Sequence, residues 1–326
     1  MPRNTSFTGP LCGIINPAGA GGSTGRRVAR IEALFRRHFP RAAGEVRWRR
    51  TRSAGDAPDL VREALREGAG TIVSVGGDGT HNEVVQGFFD QRGSPINPEA
   101  RLAILQCGTG GDLCRSLGVP RNIDKAVEML SRARARTIDL ALLDYADLDG
   151  RPARRYFINI TSAGIGGLVD RFVAGSRCKW AGGTAVFAAA TLRALLFYRT
   201  TPVAVSLDDG TFEEQLACGV VAANGRYFGG GMCVAPKALM DDGLLDVIVL
   251  GDFHASDFLV HAGKLYAGTH LKLDKVWTTK VRTVKLRSEG RIYLDVDGES
   301  PGCLPAQISV VPKALTAVAG ETAAIR

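Results

Sequence analysis

The chain has 326 residues, of which 45% are hydrophobic and 23% charged. This length and balance exclude an intrinsically disordered protein and predict two domains, each large enough to bury its own core. The net charge of +8 favours a polyanionic partner: nucleotide phosphates, nucleic acid or an anionic membrane surface. The excess of arginines between Arg26 and Arg52 is equally typical of a solvated helix surface.

Cysteine usage and hydropathy bound the cellular location. The seven cysteines are scattered without a close pair, which favours reduced thiols in a cytosolic protein over a disulfide framework or a zinc site. The first apolar run is too short for a signal peptide, and no later segment offers about 18 uninterrupted apolar residues. We therefore expect a cytoplasmic protein that meets a membrane, if at all, peripherally at its inner face.

The first part of the chain alternates short apolar runs with helical periodicity, which predicts a mostly parallel sheet covered by helices. A helix with Val28, Ile31, Leu34 and Phe35 on one face follows the first strand, and a helix with Ser53 as its candidate cap follows the second. The four predicted strands are LCGIIN (11–16), EVRWRR (45–50), TIVSV (71–75) and RLAILQ (101–106).

After about residue 139 the hydropathy pattern changes to many strand-like runs separated by turn signals. This pattern predicts a β-sandwich domain that is mainly antiparallel. Two helical stretches interrupt these runs, near 183–197 and 255–267. We therefore predict an α/β nucleotide-binding domain over 1–139 and a β-sandwich domain over 140–312. The strand-like runs are RRYFINI, PVAVSL, QLACGVVAAN, LLDVIVL, VRTVKL, RIYLDV and QISVV.

Three glycine-rich loops follow predicted strands, at 16–26, 76–83 and 107–115. Ligands of parallel α/β sheets bind at the carboxyl ends of the strands, where helix N-termini face an anion and glycine lets a phosphate approach the backbone. None of the three loops has the spacing of a P-loop or of a dinucleotide fingerprint. The sequence therefore indicates a phosphate-binding domain of another design.

Several carboxylates lie at turn signals, where a purely structural role competes with a chemical one. Asp78 is either a turn residue or a carboxylate for a magnesium-bound triphosphate, and Asp242 is either a turn residue or a metal ligand. The segment 208–210 is most simply a hairpin turn. Asp297 and Glu299 flank Gly298, so both carboxylates are expected to project from one tight turn.

Four segments, in this order and spacing, resemble the diacylglycerol kinase catalytic family, specifically bacterial soluble lipid kinases: GGDGTHNEVVQG, CGTGGDLCRSLGVP, YFGGGMCVAPKALMDDGLLDV and DVDGE. The resemblance covers nearly the whole chain, although GGDGT alone is shared with NAD kinases. It implies an N-terminal α/β nucleotide domain and a C-terminal β-sandwich. It also implies that the C-terminal segment 313–326 returns to the first domain.

The resemblance also assigns roles to residues. It makes Asp297 the proton acceptor for the lipid hydroxyl, with Asp78, Asp112 and Glu299 as the acidic network that positions magnesium and water. A second, structural magnesium site is implied at Asp242 with the carbonyls of Leu239 and Leu244. One departure is that Gly111 stands where the family has Asn. The implied ATP-binding residues are Asn16, Pro17, Ala18, Gly19, Ala20, Thr51, Gly76, Gly77, Asp78, Gly79, Thr80, His81, Asn82, Glu83 and Thr109.

The expected activity is that of an ATP- and Mg²⁺-dependent lipid kinase acting on a primary hydroxyl of a neutral membrane lipid. Diacylglycerol is the first choice of acceptor, and ceramide or a sphingoid base is the alternative. A kinase of the NAD kinase type and an inactive module that binds anionic lipid or nucleic acid are alternatives of other classes.

The expected partner is a lipid substrate at the membrane surface. The stretch from Phe172 to Phe197 is the candidate membrane contact, with an ordinary buried helix as its alternative. We expect no nucleic-acid partner, because no nucleic-acid motif accompanies the arginines. A homodimer is compatible with the sequence.

Overall fold

The computed structural model describes residues 9–39, 46–132, 134–176 and 183–320. These residues divide into two compact units. Unit 1 runs to Ile138 and takes up the chain again from Lys313, and unit 2 runs from Asp139 to Pro312.

Unit 1 is an α/β unit with a parallel sheet in the order β2-β1-β3-β4. All four predicted strands are present, so the predicted α/β class is confirmed. Near the C-terminus, Thr316 and Ala317 pair in parallel with Arg101 and Leu102, so the end of the chain adds a strand beside β4. The elements are β1 Leu11–Ile15, α1 Ser23–His38, β2 Arg47–Arg50, α2 Ala57–Arg66, β3 Thr71–Gly76, α3 Asp78–Gln86, β4 Arg101–Gln106, α4 Asp112–Ser116 and α5 Ile123–Leu130.

The amphipathic pattern of the first helices accounts for how they cover the sheet. Helix α1 buries Val28, Ile31 and Phe35, which are three of the four predicted apolar positions. Helix α2 begins later than predicted, because Asp56 rather than Ser53 is at its N-cap. A proline in the first turn fixes this start, since its missing N–H needs no partner there.

Unit 2 is antiparallel, as predicted. One sheet has the order β12-β11-β10-β7-β14, and the other contains β15-β13-β8-β9 and the pair β5-β6. The elements that follow α5 in the chain are β5 Arg134–Asp147, β6 Pro152–Phe157, β7 Ile160–Gly164, α6 Ile165–Ala174, α7 Gly183–Phe197, β8 Thr201–Leu207, β9 Glu213–Ala217, β10 Gly219–Ala223, β11 Leu245–Leu250, α8 Ala255–Ala267, β12 Val276–Val281, β13 Thr283–Arg287, β14 Leu294–Val296 and β15 Gly302–Ala319.

The core of unit 2 lies between its two sheets. Val220 and Val247 from one sheet share a buried cluster with Val284, Leu286 and Ile308 from the other. Burial of two apolar sheet faces against each other is the arrangement of a β-sandwich. The alternation of apolar residues in the sequence predicted this layer.

The structure also adds elements that the sequence pattern did not reveal. Strand β5 extends across the predicted boundary near residue 139, and α6 follows β7 directly at Gly164, whose φ of 124° is reserved for glycine. The predicted turn at 208–210 is confirmed: Asp208 and Asp209 both have positive φ, as a tight hairpin between β8 and β9 requires. No helix among the described residues is long and apolar enough to span a bilayer.

Candidate functional site

The predicted nucleotide-binding residues of unit 1 lie at the carboxyl ends of neighbouring strands. Asn16 follows β1, and its side-chain amide donates to the Thr80 hydroxyl over 3.0 Å. The Asn16 side-chain oxygen accepts from the backbone N–H of Ala18. Thr51 follows β2 and donates its N–H to the carbonyl of Ile15 over 2.9 Å. The sheet therefore brings the first loop, the second strand end and helix α3 together.

The side chain of Asp78 hydrogen-bonds the second glycine loop to the third. Its Oδ2 accepts the backbone N–H of Gly111 over 2.7 Å, and its Oδ1 accepts that of Leu113 over 3.3 Å. The side-chain amide of Gln106, at the end of β4, donates to Oδ2 over 3.4 Å. An aspartate between glycines is needed here because its carboxylate binds backbone N–H groups of a loop that lies directly beside it.

Two glycines of the third loop are required by this contact. A Cβ at Gly110 would lie 2.3 Å from Oδ2 of Asp78, so any side chain there would push the loop away. Gly111 has a φ of +86°, in the left-handed region. Glycine adopts this region without the steric cost of a Cβ.

Several of the predicted nucleotide-binding residues on α3 are buried. On α3, Thr80 is 8% exposed, and His81 and Asn82 are fully buried. Glu83 accepts the N–H of Gly55 over 3.0 Å, which ties α3 to the loop after β2. The His81 ring bonds inside the unit rather than at its surface.

Arginines that the sequence did not single out line the third loop. Arg121 donates to the carbonyl of Thr109 over 2.7 Å, and Arg115 pairs with Asp112 over 2.8 Å. Arg121 also lines a cavity of about 280 Å³ with Arg27 and Arg30. The positive charge near this loop suits phosphate groups.

In unit 2, the side chain of Asp297 is held by backbone N–H groups. Its carboxylate accepts from Ile158 and Asn159, between β6 and β7, over 3.0 Å and from Ile160, the first residue of β7, over 2.9 Å. Asp297 is 8% exposed and has a φ of 50°, so the backbone is strained where this carboxylate is placed. Three N–H donors favour the ionised form of a carboxylate.

Glu299, two residues later, is paired with an arginine that the sequence did not reveal. Both terminal nitrogens of Arg155 lie 3.2 Å from Oε2 of Glu299. The backbone groups of Val296 and Glu299 bond to each other in both directions, which closes the turn. The predicted turn with two carboxylates is therefore present, and Arg155 compensates the charge of Glu299.

Two buried carboxyl groups, those of Asp295 and Asp170, support the turn at Gly298. Asp295 of β14 accepts the N–H of Gly298 over 2.9 Å, and Asp170 of α6 hydrogen-bonds to Asp295. Burial, followed by the charge of Asp170, raises the pKa of Asp295. Burial also raises the pKa of Asp170, to about 6. Two adjacent carboxylates cannot both ionise cheaply, so the pair keeps a proton and supports the turn at Gly298.

The predicted second metal site holds a lysine. The ammonium of Lys280 lies 2.5 Å from Oδ2 of Asp242 and 3.3 Å from Asp246, and Oδ1 of Asp242 accepts the N–H of Leu244. Among the described residues, no group of three or more His, Cys, Asp or Glu could hold a metal ion. The ammonium of Lys280 therefore contacts the carboxylate that the resemblance, together with the carbonyls of Leu239 and Leu244, assigned to a metal.

Comparison with known proteins places this geometry in a family. Residues 10–143 match the diacylglycerol kinase catalytic domain, and residues 159–319 match the YegS C-terminal NAD kinase beta sandwich-like domain. A diacylglycerol kinase of Mycobacterium tuberculosis is 31% identical over 80% of this chain and 81% of its own. A Pseudomonas aeruginosa protein named "Probable lipid kinase YegS-like" is 33% identical over 84% of each chain. This chain belongs to the diacylglycerol kinase catalytic-domain family.

Its membership makes the chain a lipid kinase, and a kinase of this family uses ATP. A crystal structure of a diacylglycerol kinase from Bacillus anthracis has the same fold, with a TM-score of 0.69 over 95% of this chain and 97% of the other, at 24% identity. The two matched domains follow the order of the α/β and antiparallel units described above.

The carboxyl pair predicts a pH dependence of stability. Because the pKa of Asp170 is raised from 3.8 to about 6, its contribution to the free energy of unfolding is full below about pH 4 and is lost as the pH rises through about 6. Asp170→Asn removes this loss. Urea unfolding should therefore show the variant gaining on wild type by up to about 3 kcal/mol between about pH 4 and 7.

Asp149→Asn is the matched control, because Asp149 is 71% exposed on a turn. We expect its difference from wild type to stay constant with pH. Parallel stability curves for Asp170→Asn and wild type would contradict the proton-sharing pair.

The ion pairs of Lys280 with Asp242 and Asp246 predict that a variant without this lysine binds a divalent cation here. Lys280→Met leaves Asp242 and Asp246 without their cation, so Mg²⁺ or Ca²⁺ should raise the melting temperature of this variant by about 2–4 °C per kcal/mol of binding. Wild type should not respond at this site. Thermal unfolding in EDTA and in each metal measures the difference, with Lys280→Met/Asp242→Asn as the control that abolishes the response. An equal response of wild type and Lys280→Met would show that Lys280 does not replace a metal.

Proposed function

We propose that this lipid kinase transfers the γ-phosphate of ATP to a primary hydroxyl of a neutral membrane lipid, with diacylglycerol as the first choice of acceptor. The observation that carries the proposal is the placement of Asp297. Its carboxylate is buried, and three backbone N–H groups hold it in one fixed position. A base of this kind contributes about 10²–10⁴-fold to such a reaction.

The glycine loops of unit 1 supply the positioning that phosphoryl transfer needs. The reaction asks the protein mainly to orient the phosphates and to neutralise their charge. The proposed nucleotide contacts begin at Asn16, Thr51 and the start of α3, and continue at Thr109. The guanidinium of Arg121 donates a hydrogen bond to the carbonyl of Thr109, which places a positive charge beside this loop.

The magnesium requirement is part of the proposal. Asp78 and Asp112 are the carboxylates of unit 1 brought to one loop, and carboxylate with phosphate oxygens is the donor set that magnesium prefers. When bound, magnesium would neutralise charge on the transferred phosphate. Asp78 and Asp112 would orient it.

The names of two relatives support a lipid acceptor. One relative is named a diacylglycerol kinase and another a YegS-like lipid kinase. Ceramide and a sphingoid base are the alternative acceptors, since each also offers a primary hydroxyl. NAD, the acceptor of NAD kinases, is a soluble comparison because GGDGT is shared with those enzymes.

We further propose that helix α7 binds the membrane surface, which would place the protein peripherally at the inner face of the membrane. Leu192, Leu196 and Phe197 are 57%, 69% and 70% exposed. Arg193 lies over the ring of Phe172, 4.3 Å from its centroid. Apolar side chains beside a guanidinium suit an anionic bilayer. Of the stretch 172–197, residues 177–182 lie outside the described residues.

Vesicle binding tests this surface. Leu196→Glu places a charge where an apolar side chain would enter the bilayer, so binding to vesicles containing anionic lipid should fall about 5–30-fold. Leu216→Glu is the matched control, because Leu216 is 55% exposed and belongs to β9 rather than to α7. Co-sedimentation measures binding, and equal binding of Leu196→Glu and wild type would contradict the role of α7.

Phosphate transfer from labelled ATP tests the activity. The acceptors are diacylglycerol, ceramide, sphingosine and monoacylglycerol in mixed micelles, with NAD as the soluble control. We expect a labelled lipid, and Asp297→Asn should lower kcat by about 10²–10⁴-fold with the KM for ATP unchanged. Transfer to NAD alone, or to nothing, would overturn the lipid acceptor.

The variant needs its own control, because an amide at position 297 would face the three N–H groups with one acceptor oxygen instead of two. This mismatch costs about 1–3 kcal/mol of stability. Binding of labelled ATP by Asp297→Asn separates a missing base from a missing fold. Asp149→Asn should retain full activity.

A further inference from the structure

The buried polar residues beneath helix α3 form a hydrogen-bonded row that ends at Asp78. Ser74 Oγ lies 2.7 Å from Nδ1 of His81, and Nε2 of His81 lies 3.0 Å from Oε1 of Gln106. The side-chain amide of Gln106 continues the row to Oδ2 of Asp78 over 3.4 Å. Ser74 and His81 are fully buried, and Gln106 is 3% exposed.

Chemistry fixes the direction of every bond in this row. The carboxylate of Asp78 accepts from the N–H groups of Gly111 and Leu113 and from the NH₂ of Gln106, so the Gln106 oxygen faces His81. The facing Nε2 of His81 must then carry the proton, which leaves Nδ1 to accept from the Ser74 hydroxyl. Burial lowers the pKa of His81, and the charge of Asp78 opposes this shift. A neutral ring with its proton on Nε2 satisfies all four groups.

We propose that His81 is a positioning residue for the magnesium-nucleotide site, acting through Gln106 on the carboxylate of Asp78. The inference rests on the proposed function and assigns His81 no direct contact with ATP. A packing role alone would be filled by an apolar residue, because burying an imidazole is costly unless both nitrogens are bonded. The Nε2–H of His81 turns the amide of Gln106, and that amide orients Oδ2 of Asp78 together with the N–H of Gly111.

A matched pair of variants tests the inference. In His81→Gln, the amide nitrogen reaches the place of Nε2 and can still donate to Gln106. In His81→Asn, the shorter side chain reaches only the place of Nδ1. We expect the Kd of a fluorescent ATP analogue with Mg²⁺ to rise about 10-fold in His81→Asn, about 1.4 kcal/mol, and to stay within about 2-fold of wild type in His81→Gln. In EDTA, the Kd of all three proteins should agree.

His270→Leu is the control for losing a buried histidine. His270 is 1% exposed in unit 2 and bonds to the carbonyl of Val234. Its loss should lower the melting temperature and leave the Kd for Mg²⁺-ATP unchanged. Gln106→Met interrupts the row while residue 81 stays a histidine, so it should raise the Kd as His81→Asn does, even if His81→Asn folds poorly.

Nitrogen NMR of the histidine rings gives a readout independent of activity. We expect His81 to be neutral with its proton on Nε2, and this signal to change in Gln106→Met. A proton on Nδ1, a charged ring, or equal Mg²⁺-ATP affinity of folded His81→Asn and wild type would overturn the inference. Wild type that binds no nucleotide would instead overturn the proposed function, whatever the NMR shows.

Discussion

The bond between Asp78 and the backbone of the third glycine loop is the constraint on which the arrangement of unit 1 depends. Each parallel strand ends in a loop, and loops without side chains have little to hold them in one conformation. The carboxylate of Asp78 supplies the missing contact, because it accepts the N–H groups of Gly111 and Leu113. The glycine at 110 is then obligatory, since the carboxylate occupies the space of its side chain.

In unit 2, an aspartate carboxylate also holds the backbone by accepting its N–H groups. The carboxylate of Asp297 accepts hydrogen bonds from three backbone N–H groups, which lie between the end of β6 and the start of β7. The turn at Gly298 is supported from behind by Asp295, which shares a proton with Asp170. Buried carboxylates are costly unless bonded, and here the bonds that stabilise them also fix the backbone around the proposed base. Stability and function therefore draw on the same contacts in both units.

Two contacts of the structure go beyond what the motifs indicate. Lys280 places its ammonium between Asp242 and Asp246, where the family resemblance implied a metal. An ammonium on the same chain neutralises these carboxylates without a dissociable ion. His81, within the motif that resembles the family, is fully buried and bonded at both ring nitrogens.

Local patterns in the sequence determined the classes of the two units, the four parallel strands, the hairpin at Asp208 and the turn at Gly298, because periodicity and turn chemistry act over a few residues. The glycine loops and the acidic turns were equally visible. Partners far apart in the chain were not, and only the tertiary structure decided them. Arg155 and Glu299 are separated by 144 positions, and Asp297 and its Ile158 donor by 139. Such pairs are set by which strands and loops become neighbours, and no local pattern encodes that.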